Sequence, residues 1–316
     1  MIIKKILKPV LRPIRVAMQP HLRKMRRYLE MSRYGLLRVR SSSAGNSHIA
    51  SIIRDGTAAA IGKIGSTELF ALRMCLRGKA SVPKETWEHG QKDLYVCSGV
   101  HPCSDEIMNV FFQVYSEALQ QMDVLGVWYN EGEASVAKRF CRNATFSYYW
   151  CLEPYYHKVP WSAELKGKTV LVMHPFIDTI TKQYAKRELI WNQCPEVLPE
   201  FNLRTIKVPL YDAVVKSPYE NWKVCLDDLK KQMDSIDFDV VLIGAGAYSL
   251  PLCAHAKSLG KIGIHMGGAA QILFGVIGNR WVDHPIISGF FNEHWCRPSA
   301  DESPSARTLV EGGCYW

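Results

Sequence analysis

Apolar residues recur along the chain in two different rhythms. Short runs rich in Val and Ile stand at Ala58–Ile61, Val124–Tyr129, Thr169–Met173, Leu203–Val208, Val240–Ile243 and Lys261–His265. They lack polar alternation, which predicts strands covered on both faces. Between them, apolar positions three and four apart predict helices over Thr67–Arg77, Asp105–Met122, Ile177–Trp191, Glu220–Met233, Leu250–Leu259 and Ala269–Ile277. Two of these carry further signals. Ser104-Asp105-Glu106 supplies caps ahead of Ile107, Val110, Phe111, Val114 and Leu119, and Trp222, Cys225, Leu226, Leu229 and Met233 fall at helical spacing with charges between them. Strand and helix alternate, so the predicted fold is α/β: an open, mostly parallel sheet with helices on both faces.

Charge changes the picture at one end. Residues 1–40 hold twelve Lys or Arg against the single acid Glu30, a net +11; the whole chain carries +9, which leaves the remainder at −2. The body is therefore nearly neutral, and nothing in it calls for a nucleic-acid groove. The basic segment interleaves its charges with apolar residues from Ile2 to Met31 and is interrupted by Pro9, Pro13 and Pro20. It lacks the unbroken apolar stretch of about 7–15 residues that a secretory signal needs. No run of about 18 apolar residues predicts a transmembrane helix. Two readings stay open for residues 1–40: an amphipathic leader lying on an anionic membrane surface, or a basic tail or surface helix packed on the body. Ser41–Ser47 (SSSAGNS) reads as a flexible joint, so the expected division is a leader at 1–40, a joint at 41–49 and a body at 50–316.

The 316 residues are 47% hydrophobic and 22% charged, enough apolar surface for a large core. The ten cysteines form no C-x-x-C pair and no zinc spacing, as expected of scattered thiols in a reducing compartment. Asn143-Ala144-Thr145 matches a glycosylation sequon, without a secretory signal to give it meaning. The tail from Arg297 reads as irregular, ending in Tyr315 and Trp316, two aromatics expected to dock on the body.

Candidate chemistry gathers at strand ends. Asp239–Ile243 leads into Gly244-Ala245-Gly246, then a helix, then Lys261–His265. Glycines let a backbone approach an anion, and the next helix points its N–H groups there. The match to G-x-G-x-x-G is partial, with Ser249 at the third glycine, and a tight turn without a ligand fits as well. Gly267-Gly268 repeats the arrangement after the next strand. Lys63-Ile64-Gly65-Ser66-Thr67-Glu68 places a cation for a phosphate and a carboxylate for base or metal work, or else a capped helix start. Glu131 and Glu133 suit metal or hydroxyl binding, or a solvated helix start. His174 ends a strand, where it can meet a diphosphate or move a proton, and Asp178 follows, as ligand or cap. Arg280-Trp281 suits phosphate recognition and stacking, or a helix end beside a core aromatic. The P-loop, H-E-x-x-H, G-x-S-x-G and kinase patterns are missing.

Taken in order, the Gly65…Glu68 loop, the HPF strand end at 174–176 with Gln183-Tyr184, LIGAG, HMGGAAQILFG with NRW, and EGGCYW resemble the bacterial GT-D-type glycosyltransferases over roughly residues 50–316. The resemblance implies a Rossmann-like domain moving a sugar from a nucleotide sugar to a glycan or lipid-linked acceptor in surface polysaccharide assembly. It implies a cytoplasmic protein, peripheral on the inner membrane face through residues 1–40. The family's loop usually reads Arg-x-Gly-Asp-Gly-Glu, its acidic pair serving Mn or Mg and the donor. Here Lys63 replaces the Arg, Glu68 remains and Ser66 takes the Asp place. Glu68 and His174 are then the catalytic candidates. Lys63, Gly65, Ser66, Gly244, Gly246, Gly267, Gly268 and Arg280 would face the donor. Any metal would draw on Glu68, Glu131, Glu133 and Asp178. The glycine turn alone also fits an NAD- or S-adenosylmethionine-using enzyme. The NAD version expects an acid about 20 residues past the turn, where His265 and Met266 stand. A non-catalytic relative that lost the Asp is the third reading.

Overall fold

The structure is a computed structural model that describes residues 21, 22, 24–35 and 37–316. Its strands are β1 (Val39–Arg40), β2 (Ala59–Lys63), β3 (Val124–Val127), β4 (Thr145–Tyr148), β5 (Thr169–His174), β6 (Asn202–Lys207), β7 (Val240–Ile243) and β8 (Ile262–His265). They form one sheet in the order β1-β4-β3-β2-β8-β7-β5-β6, and every pairing is parallel rather than mostly so. The helices are α1 (Ser42–Asp55), α2 (Ser66–Arg77), α3 (Lys84–Ser98), α4 (Asp105–Gln120), α5 (Glu133–Phe140), α6 (Ile177–Tyr184), α7 (Arg187–Ile190), α8 (Trp222–Asp234), α9 (Ser249–Ser258), α10 (Ala269–Leu273) and α11 (Asn279–Val282).

Alternate strand residues point to opposite faces, which makes two cores. Ala60, Leu171, Met173, Val241 and Ile243 meet α2, α4, α8 and α9 on one face. Ala59, Ile61, Val170, Val172, Val240, Leu242 and Ile264 meet α1, α6 and α10 on the other. The central strands are covered on both faces, which is why they carry no polar alternation; edge strand β6 instead exposes Asn202, Arg204 and Lys207.

β2 and β8 are neighbours at the centre of the sheet. From β2 the chain passes to α2 on one face; from β8 it passes to α10 on the other. Such a divergence opens a crevice outside the carboxyl ends of the strands, and a deep cavity lies there.

Several expected elements differ. The flexible joint at 41–49 is the start of α1: the Ser41 hydroxyl accepts from Ala44 N–H, Gly56 closes the helix in a left-handed turn, and Ile49 and Ile53 are fully buried. The helix expected over Ile177–Trp191 breaks after Tyr184, whose ring stacks on Phe201 and whose hydroxyl exchanges hydrogen bonds with that residue's backbone. Ala269–Ile277 stops at Leu273, because the chain turns through Gly275 at φ +69. β3 ends at Val127, and Tyr129 adopts a positive φ of 63. The helix expected from Glu220 begins at Trp222, after Asn221 caps Val224 N–H.

Much of the expected leader, residues 1–20, lies outside the described residues. Residues 24–34 are helical and dock on the body. Glu30 is 1% exposed and its carboxylate accepts from Ala134 N–H at 2.7 Å, an acid at the positive end of α5. Tyr34 is buried on the same side, while Met25, Tyr28, Leu29 and Met31 are exposed. Among the described residues no helix is long and apolar enough to cross a membrane.

Candidate active site

The ends of β2, β5, β7 and β8 open into one crevice of about 460 Å³. Lys63, Gly65, Ser66 and Glu68 reach it from β2 and α2, His174 from β5, Gly244 and Gly246 from the turn after β7, Gly267 and Gly268 from the turn after β8, and Arg280 from α11. The sequence had separated these residues by more than 200 positions; the parallel sheet brings them to a single edge.

Glu68 stands in the first turn of α2 and is 7% exposed. Its carboxylate folds back over Gly65, filling the space a Cβ there would need. Burial raises its pKa above the ordinary carboxylate range, while its own backbone N–H and the Ser98 hydroxyl pull the other way. The result is a carboxylate more basic than one in water.

His174 is buried, and its Nδ1 accepts the Phe176 N–H at 3.0 Å, which fixes the ring proton on Nε2. His265, at the end of β8, also lines the crevice, and its Nδ1 is buried without a partner. Burial lowers both imidazoles to about 3, with the Lys63 charge adding to the effect at His265. Both are therefore neutral hydrogen-bonding groups near pH 7.

Lys63 ends β2 with its ammonium 4.6 Å from the centre of the Trp128 ring, which stacks on Tyr149. Glu153 Oε1 lies 3.6 Å from Lys63 Nζ, an ion contact rather than a close hydrogen bond. Glu153 Oε2 accepts from the Tyr155 hydroxyl at 2.9 Å. Burial lowers the Lys63 pKa, and Glu153 opposes that shift.

The glycine turn serves packing as well as the crevice. A Cβ on Gly244 would stand 2.6 Å from the His174 ring and 2.8 Å from the Gly267 carbonyl; one on Gly246 would stand 2.7 Å from the Ser98 carbonyl. Ser249, at the place of the third glycine, accepts the Ala245 N–H through its hydroxyl at 3.0 Å. That donor is consequently spent inside the turn, and Gly244–Gly246 forms a wall.

The chain's last residues complete the crevice. Arg280 is paired with Glu311, lies 3.1 Å from Cys314 Sγ and stands 4.8 Å from the centre of the Tyr315 ring. Asn279 and Arg280 donate backbone N–H groups to Trp316 and Cys314 carbonyls, and the Trp316 indole donates to Glu302 O at 2.7 Å. The expected docking of the terminal aromatics is what builds this wall.

The proposed metal set does not assemble. Glu133 turns inward, where its carboxylate accepts the backbone N–H groups of Trp128 and Tyr129. Glu131 lies on the surface against Arg73 and Arg26. Asp178 pairs with Lys207 at 2.6 Å, outside the crevice. Of the four, Glu68 is the one that lines the crevice, and among the described residues no group of three or more His, Cys, Asp or Glu could hold a metal ion. These residues do not fit the divalent cation that the family pattern implies.

The sequence reading missed Glu153, Trp128, Tyr149 and His265. His265 was visible at a strand's end beside the second glycine turn. Glu153 follows a 3-10 turn after β4 and belongs to no recognisable pattern.

Residues 46–273 match the model of the GT-D-like family, described as a GT-D fold-like domain. Neither curated proteins nor solved structures gave a match.

Proposed function

The chain belongs to the GT-D fold-like family, and from that premise we propose that it is a bacterial glycosyltransferase. It would move a sugar from a nucleotide-sugar donor to a glycan or lipid-linked acceptor in surface polysaccharide assembly. The observation that carries this reading is the meeting of Glu68, His174, Lys63 and Arg280 in one crevice between glycine turns. A transferase needs a base for the acceptor hydroxyl and compensation for the charge of the leaving diphosphate. Glu68 takes the hydroxyl proton as the new bond forms between the acceptor oxygen and the sugar's anomeric carbon. The bond from that carbon to the phosphate oxygen breaks, and its electron pair leaves with the nucleoside diphosphate. Lys63 and Arg280 face the charge that develops, and the Nε2–H of His174 donates a neutral hydrogen bond.

The basic leader places this reaction at the inner face of the cytoplasmic membrane. The described part supports it: Met25, Tyr28 and Leu29 lie on the side of the helix opposite Glu30 and Tyr34, which hold it to the body. Glu68→Gln tests the central assignment. It should abolish transfer while leaving the unfolding midpoint unchanged; turnover like that of the wild type would sink the role of Glu68.

A further inference from the structure

Resting on the donor-site reading above, we infer that the crevice holds the donor's diphosphate without a divalent cation, on Lys63 and Arg280, and that Glu311 is the counterion the diphosphate displaces. The acids needed for a metal are dispersed, as described, and two side-chain cations occupy the crevice instead. They flank the Gly267-Gly268 turn: the Lys63 stem lies against Gly267, while Trp281 and Tyr315, which stack with Arg280, lie against Gly268. Their charges repel, and an anion bridging them would relieve that repulsion.

Each cation already has an acid, and the two acids differ. Glu153 is 8% exposed and is tied by the Tyr155 hydroxyl, so it stays with Lys63 as part of the wall. The Arg280 and Glu311 side chains are 41% and 39% exposed. A pair so open to water is weakly held. Glu311 also precedes Gly312 and Gly313, both left-handed at φ +69 and +78, a backbone that turns without side-chain obstruction. Beyond them Trp316 is anchored by Asn279, Arg297 and Glu302. Glu311 can therefore swing away from Arg280 while the end of the strap stays docked. Glu311 meets the guanidinium through one oxygen, whereas a phosphate can offer it two, with more charge.

Inorganic pyrophosphate is a probe that needs no knowledge of the base or sugar. Its binding to the full chain is measured by calorimetry in EDTA and again in excess Mg²⁺. We expect binding in EDTA, weakened about tenfold or more by Arg280→Gln and tightened several-fold by Glu311→Gln, since the internal competitor is gone. Binding seen only with Mg²⁺ would overturn the inference, as would unchanged or weaker binding in Glu311→Gln. Glu311 is exposed enough that this variant should fold, which a thermal melt verifies. If pyrophosphate binds as expected but no nucleotide sugar is turned over, the transferase reading fails while this one stands.

Discussion

Two loops in this protein look alike in sequence and end in different trades. Each follows a short apolar strand and contains a glycine; each ends in a glutamate that opens a helix. After β2 the loop is Gly65 to Glu68; after β3 it is Asn130 to Glu133. Glu68 lines the crevice, whereas Glu133 is 0% exposed and spends its oxygens on backbone N–H groups of its own loop. The difference lies in the neighbours. β2 borders β8, where the chain leaves the sheet on opposite faces and space opens. β3 lies one strand further out, and Glu30 and Tyr34 of the docked leader helix close over its loop. An acid after a strand is thus a candidate for chemistry only where the sheet leaves room for a ligand.

The two glutamates and the two glycines before them allow that contrast to be broken or sharpened. The largest effect is expected for Glu68→Gln, about 10²- to 10⁴-fold in transfer rate for loss of a general base, read by product formation at constant folded fraction. Gly65→Ala should follow with a loss of up to about 100-fold. Gly65 has an ordinary φ of −65, so alanine brings no backbone strain, but its Cβ would displace the Glu68 carboxylate. On the other loop the cost should appear in stability. Glu133→Ala strands buried N–H donors and should cost about 1–3 kcal/mol in a denaturant titration, with kcat retained by the folded fraction. Gly132→Ala should cost about 1–2 kcal/mol, because φ is +84 and the new Cβ would also press on Arg73.

The last contrast is a matter of pH. Burial pushes the Glu133 carboxyl from 4.5 up to about 7, against the pull of its N–H donors. The folded state then holds this proton more tightly than the unfolded chain. Its contribution is fully present below about 4.5 and is lost as pH rises through about 7. Glu133→Gln cannot ionise and should flatten that part of the stability profile. An unchanged slope would assign it to Glu68, which is also raised.

Six of the sheet's eight strands were legible because period and composition agree in buried parallel strands; β1 and β4, two and four residues long, were not. Val240–Ile243 was read to the residue, and Thr169–Met173 fell one short of β5. Reading failed where a tertiary partner overrides local signals. Ser41–Ser47 has the composition of a linker, yet Gly45 is the residue small enough to let α1 lie on Ser147 and Cys151. The break after Tyr184 has no Gly or Pro to announce it and depends on Phe201. In the site, positions that glycine or a strand end marks were found, as at Gly244, Gly267 and His174. Glu153 was not, since only the fold carries it to Lys63. Glu131 and Asp178 were proposed because acids after strands look available; Arg73 and Lys207 hold them elsewhere.

The pairing of β2 with β8 also sets an order of events in the cell. Residue 59 lies beside residue 262 in the finished sheet. A chain emerging from the ribosome can join β2 to β3 and β4 early, but β8, the strand that closes the centre, arrives only after β5, β6 and β7. Until then the edges of β2 and β7 stand unpaired, and such edges are where nascent chains aggregate. The crevice shares that delay: it has no second wall until β8 and the glycine turn after it have been made.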